Sequence, residues 1–181
     1  MARESASARV ARAARILDLL ELAYPDAHCA LDHADPYQLL VATILSAQCT
    51  DVRVNLVTPA LFARFPDPRA LAGGRQAEVE DLIRSTGFFR NKAANLLAMA
   101  AALVERHGGR VPDTMDELRA LPGVGRKTAN VVLGNAFGRN DGITVDTHVG
   151  RIARLLRLTS ATGPEKVEQD LMRLFPQPKW T

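Results

Sequence analysis

From Val10 to Phe175, apolar residues recur at the i, i+3, i+4 spacing of a buried helix face. The two-residue alternation of a half-buried strand is nearly absent. That pattern restricts the chain to an all-α fold. Helices are expected over Val10 to Leu22, Tyr37 to Ala47, Val52 to Phe65, Glu78 to Ser85, Lys92 to His107, Met115 to Leu121, Lys127 to Phe137, Thr147 to Leu158 and Glu165 to Phe175. The punctuation agrees. Pro36, Asp51, Asp113 to Thr114 and Pro164 stand at helix starts, and Gly87, Gly108 to Gly109 and Gly138 at helix stops.

A hydrophobic fraction of 47% over 181 residues suits one compact unit or two small ones. The sequence Gly-Arg-Asn-Asp-Gly from Gly138 to Gly142 interrupts the helical pattern and reads equally as a hinge or as a loop. The longest apolar runs, Leu39 to Leu45 and Leu96 to Val104, fall short of the roughly 18 residues that a membrane span requires. The first fifteen residues contain Arg and Ser and mildly resemble a transit peptide, but Glu4 interrupts them and an apolar helix face continues through Ile16, Leu17, Leu19 and Leu20, so they read as a frayed tail leading into a structural helix. A net charge of +3 permits a nucleic-acid partner without requiring one. Cys29 and Cys49 form no metal-binding or disulfide framework; they read as small hydrophobes of an intracellular protein.

The string Leu121-Pro122-Gly123-Val124-Gly125 joins two of the expected helices. Pro122 fixes one backbone angle, and Gly123 and Gly125 permit positive φ and a close approach of the main chain to another surface. Amides of such a hairpin, and of the helix opening at Arg126-Lys127-Thr128, would face outward as an anion nest suited to a phosphate without regard to base. Read as Leu-Pro-Gly alone, the turn is an ordinary helix connector with a glycine cap.

The longer string from Leu121 to Val132, L-P-G-V-G-R-K-T-A-N-V-V, resembles the helix-hairpin-helix of the endonuclease III family. Three further segments resemble the same family: Ser46-Ala47-Gln48-Cys49-Thr50-Asp51, Gly87-Phe88-Phe89-Arg90-Asn91-Lys92-Ala93, and Val145-Asp146-Thr147-His148. The resemblance runs from about Ile16 to Pro176 and implies the two-lobed helix-hairpin-helix DNA glycosylase fold. A six-helix barrel over 25–137, with the hairpin at about 115–137, would stand beside a second lobe made of 1–24 and 138–181.

It also implies an activity: excision of oxidised pyrimidines from double-stranded DNA by a bifunctional N-glycosylase and abasic-site lyase. Lys127 would be the nucleophile and Asp146 the catalytic carboxylate. A nucleophilic lysine needs its charge disfavoured, and partial burial, Arg126 beside it and the positive end of its helix act in that direction. Asp146 precedes a helix and also reads as its N-cap; capping amides would keep it ionised, able to stabilise positive charge on the sugar and help deprotonate the lysine. His148 reads as a structural hydrogen-bonder. An enzyme acting on an extruded base must fill the gap left in the stack. The resemblance assigns that work to Gln48 and to Phe88, where a leucine is familiar. The main chain of Gly123, Val124 and Gly125, with Arg126 and Thr128, would hold the DNA backbone. The carbonyls of Arg119, Leu121 and Val124 would hold a Na+ or K+ ion.

One departure is plain. The family carries a [4Fe–4S] cluster on four cysteines spaced C-x6-C-x2-C-x5-C, and this chain has only two cysteines. The expectation is a polypeptide shortened before that loop, with an incomplete second lobe that exposes Leu17, Leu20, Leu171 and Leu174. Such a form would be weak or inactive and inclined to self-associate where family members are monomers. Action in the cytoplasm or nucleoid is implied if the source is bacterial. Two other functions remain open at this level: a monofunctional mismatch glycosylase of the same superfamily, and a non-catalytic helix-hairpin-helix module that binds DNA.

Overall fold

The computed structural model describes residues 4–181 and, over them, is all-helical with no strand. The described residues form two compact units, one of 29–138 and one of 4–28 with 139–181.

The unit of 29–138 is built around α2 (Pro36–Leu45). Asp35 caps this helix, accepting from the Gln38 N–H, and Pro36 takes the first position, where a missing N–H costs nothing. From Leu39 to Leu45 every residue is buried, the Thr43 hydroxyl being returned to the Leu39 carbonyl, so this stretch of α2 is covered on all sides and lies inside a helical cage. That cage comprises α3 (Asp51–Arg64), α4 (Pro68–Ala72), α5 (Gln76–Ile83), a 3-10 turn over Arg84–Thr86, α6 (Phe89–His107), α7 (Met115–Arg119) and α8 (Arg126–Phe137). α2 packs on α3, α6 and α8, while α6 also packs on α4 and α5. Leu61, Phe65, Leu71, Ile83, Leu96, Met99, Leu103, Leu118 and Leu133 are fully buried in this core. Cys29 and Cys49 are free thiols, half-buried at its edge.

The second unit contains α1 (Ala6–Ala23), α9 (Thr147–Leu155), α10 (Pro164–Met172) and a 3-10 turn over Gln177–Lys179. Its core is small: Ala13, Val145, Ala153, Leu158, Val167 and Leu171, flanked by Ile16, Ile143, Val149, Leu174 and Phe175. The Arg12 side chain bonds the carbonyls of Leu156 and Arg157 and pairs with Glu4, so a cation sits at the C-terminal end of α9, where the helix dipole favours it. Leu20 is 48% exposed, as the sequence led one to expect, and Leu17 is half-buried. Leu171 departs from that expectation: it is 3% exposed, and Leu174 packs against the same core, because α10 turns this face inward beside Val167. Among the described residues no helix is long and apolar enough to cross a membrane.

Candidate active site and nucleic-acid interface

α7 opens with a reciprocal cap, Thr114 accepting from the Glu117 N–H while its hydroxyl donates to the Glu117 carboxylate. After Arg119 the chain turns through 120–125 and re-enters a helix at Arg126. Leu121 and Val124 are buried and anchor the turn, and the Val124 N–H donates to the Leu121 carbonyl at 3.2 Å. That bond already engages one of the three carbonyls expected to hold a monovalent cation.

The two hairpin glycines do different work. Gly123 has φ +77°, and a Cβ there would lie 3.0 Å from Asn95 Cβ, so both the backbone angle and the neighbour demand glycine. Gly125 does not take the positive φ expected of it: at φ −91°, ψ 175° it is the extended N-cap residue of α8, with nothing within 4 Å of an added Cβ. The N-cap residue of α8 is a glycine, which makes no side-chain capping bond to the first turn of the helix. Arg126 and Thr128 are half-buried and Lys127 is exposed. Partial burial of Lys127 was expected; it is instead exposed, while Ala129, Val132 and Leu133 of the same helix are in the core.

The segment after α2 carries Gln48 at φ 52°, and the segment before α6 carries Phe88 at φ 47°. Both are non-glycine residues in the left-handed region, at a cost of order 1 kcal/mol each. Both side chains are exposed, Phe88 by 64%. The Phe88 ring therefore lies largely in solvent and is not among the core residues. Gln48 and Phe88 line one open cleft of ≈ 170 Å³ together with Ile44, Ala47, Asn91, Lys92, Asn95 and Gly123. The structure thus gathers Gln48, Phe88 and the hairpin glycine on one surface.

Lys92 is the residue that reasoning from sequence passed over as a motif letter. It is 5% exposed, and its Nζ donates to the carbonyls of Leu45 and Thr86, each at 2.8 Å. Burial pushes its pKa down, with Cys49 acting the other way. The signal was present in the spacing: Lys92, Leu96, Met99 and Leu103 all lie on the buried face of α6, so a lysine occupies a core position. Asn95, against which Gly123 packs, had no such signal.

Asp146 belongs to the other unit. It is half-buried, and its Oδ1 accepts the Val149 N–H at 2.8 Å as the N-cap of α9. His148 is exposed on the first turn of that helix.

Among the described residues no group of three or more His, Cys, Asp or Glu could hold a metal ion. Two separate half-buried thiols do not fit a cluster that needs four thiolates.

Comparison with known proteins agrees with this geometry. Residues 41–177 match the family described as HhH-GPD superfamily base excision DNA repair protein. The chain is 60% identical to endonuclease III of Synechocystis sp. over 169 residues, covering 93% of this chain and 77% of that one. It is 39% identical to endonuclease III of Escherichia coli strain K12, covering 92% and 78%. A solved non-covalent endonuclease III–DNA complex superimposes with a TM-score of 0.91 at 44% identity, over 94% of this chain and 80% of that one. A family match over most of the length, and relatives well above the identity at which fold and family diverge, place the chain among base excision DNA repair enzymes as a member of the endonuclease III family.

Proposed function

We propose that the protein is a bifunctional DNA glycosylase and abasic-site lyase acting on oxidised pyrimidines in duplex DNA, wherever the cell keeps its genome. The observation that carries this reading is the placement of Lys127: exposed, and second in a helix whose N-cap residue is a glycine, directly after the glycine hairpin. A phosphate seated on the hairpin amides would bring a sugar within reach of that amine.

The neutral Lys127 amine attacks C1′, and the base leaves with the electron pair of the glycosidic bond and takes up a proton that the nitrogen sheds. The nitrogen lone pair then breaks the C1′–O4′ bond, O4′ takes a proton from solvent, and a protonated imine remains. Water accepts a C2′ proton, the C2′–C3′ double bond forms, and the 3′ phosphate leaves with the electron pair of the C3′–O bond, which nicks the strand. Hydrolysis of the imine returns the lysine. Asp146 supplies a carboxylate against the positive charge that develops on the sugar. Because Lys127 is exposed in the free protein, stripping water from its amine falls to the bound DNA. Gln48 and Phe88 fill the gap left by the extruded nucleotide. The hairpin main chain at Gly123, Val124 and Gly125 holds the backbone, and a Na+ or K+ ion on the carbonyls of Arg119, Leu121 and Val124 would complete that grip.

Borohydride reduction on an abasic duplex tests the reading, since it fixes an imine as a stable amine. The protein should be trapped covalently, and Lys127→Ala should abolish trapping while retaining affinity for DNA. Undiminished trapping in that variant removes Lys127 from the mechanism. Release of thymine glycol in preference to uracil, or to adenine from a mispair, is the expected substrate order.

A further inference from the structure

We propose that Lys92 is a positioning residue for the reaction, one buried ammonium that holds the Gln48 and Phe88 segments in the conformation that presents both side chains. The inference rests on the reading of those two residues as the groups that fill the stack.

The Leu45 carbonyl closes α2, and the Thr86 carbonyl closes the 3-10 turn Arg84–Thr86. Each is a terminal carbonyl that its own helix leaves unmatched. Lys92 Nζ donates to both at 2.8 Å, and charge-assisted bonds of this kind are stronger than neutral ones. Its backbone N–H donates to the Phe88 carbonyl at 3.1 Å, so side chain and main chain of one residue bracket the Thr86 to Phe88 turn. Three residues beyond Leu45 stands Gln48, and two beyond Thr86 stands Phe88, both left-handed without being glycine. Strained residues of this type persist only where their surroundings over-determine them. The Ser46 hydroxyl bonds Thr43 O, the Cys49 N–H bonds Ser46 O, and the Thr86 hydroxyl bonds Ile83 O; each restrains one segment alone. Lys92 ties the two segments to each other.

A core position on α6 gives no reason of its own for an ammonium. On the buried face that Lys92 shares with Leu96 and Met99, a methionine of similar length would bury without the cost of desolvating a charge. What the amine adds is a fixed distance between the ends of two segments, and that distance sets how Gln48 and Phe88 enter a duplex together. Holding such groups within about half an ångström of the productive geometry is what a supporting shell provides.

Lys92→Met and Lys92→Gln should be compared with Gln48→Ala and Phe88→Ala. The readout is affinity for a duplex carrying a tetrahydrofuran abasic analogue, against the same strand unpaired, where no stack must be filled. Lys92→Met should weaken duplex binding about tenfold and single-strand binding less than about twofold. Lys92→Gln, whose shorter amide reaches at most one carbonyl, should fall between. In a Gln48→Ala background the Lys92→Met loss should shrink, because a positioning residue has less to position. Duplex-selective loss in Gln48→Ala and Phe88→Ala with none in the Lys92 variants overturns the positioning role alone. Loss equal on both substrates, or fully additive with Gln48→Ala, overturns it as well. No duplex selectivity in Gln48→Ala and Phe88→Ala sinks the stack-filling reading and the positioning role with it. Should Lys92→Met fail to fold, the same comparisons on Lys92→Gln decide, wild-type selectivity there counting against the proposal.

Discussion

At Asp146 the capping bond to the Val149 N–H and the negative charge are separable properties of one carboxylate. Asparagine caps a helix about as well as aspartate, so Asp146→Asn should leave thermal stability within a few tenths of a kcal/mol, roughly 0.3, while Asp146→Ala costs about 1 kcal/mol. If the charge acts in the transition state, single-turnover excision by Asp146→Asn should fall about 100-fold. Wild-type turnover in the asparagine variant would reduce Asp146 to a cap. The hairpin glycines separate in the same manner. Gly123→Ala meets both φ +77° and the Asn95 Cβ, so it should lose about 1–3 kcal/mol in urea denaturation. Gly125→Ala meets neither and should lose at most about 1 kcal/mol, the difference between glycine and alanine as an N-cap. At this scale residue type revealed that a tight turn exists but not which glycine bends it. Nor could residue type reveal the left-handed Gln48 and Phe88, since their strain is imposed by packing and neither is a residue that favours it.

Side-chain caps account for several well-placed element boundaries but not for all of them: α1, capped by Ser5, begins at Ala6, four residues before its expected start, whereas α8, with no side-chain cap, begins at Arg126, one residue before its own. Asp35, Thr50 and Thr114 bond the amides of their helices, and those starts lie close to where the sequence places them. α4 escaped periodicity because five residues make little more than one turn, although Asp67 capping Ala70 with Pro68 at the first position is a start signal in itself. α9 is shorter than its apolar pattern, ending at Leu155 rather than Leu158. Arg157 there takes φ 53°, and the Leu158 N–H turns back to Ala153 O at 2.9 Å, a helix ending of the kind glycine usually makes. With no glycine at 157 the stop was illegible. Arg157→Gly should therefore relieve the left-handed strain and stabilise the protein by about 0.5–1 kcal/mol, after the larger entropy of glycine in the unfolded chain is counted. The Arg157 carbonyl that accepts from Arg12 is main chain and survives the change. A lowered melting temperature would mean that the arginine side chain does more than occupy solvent.

Over the whole molecule the two units are unequal, and the inequality has a measurable consequence. In the unit of 29–138, α2 is enclosed, and fully buried leucines, Phe65 and Met99 meet around it. The helical pattern made that core legible, because continuous burial from Leu39 to Leu45 is written as an apolar run interrupted only by Thr43, whose hydroxyl donates to the Leu39 carbonyl. Among its described residues the other unit buries six small or medium apolar side chains, Ala13 among them, and leaves Leu19, Leu20, Leu22, Ile152 and Leu155 each 47% exposed or more. Its sequence pattern looked as apolar as the first, since periodicity records which face a helix offers and not whether another element covers it. Stability scales with apolar area removed from water, so opening of this unit should cost less. Native-state hydrogen exchange should show amides of α1, α9 and α10 exchanging through openings at least about 2 kcal/mol lower than those of α2 and α6. Val167→Ala, which removes two methyl groups from the smaller core, should accelerate exchange in α9 and α10 by a further factor corresponding to about 1–3 kcal/mol and leave α2 and α6 unchanged. Uniform protection across all five helices, or a Val167→Ala effect that reaches α2 and α6 equally, would mean that the smaller core does not open by itself and that both units share one cooperative transition.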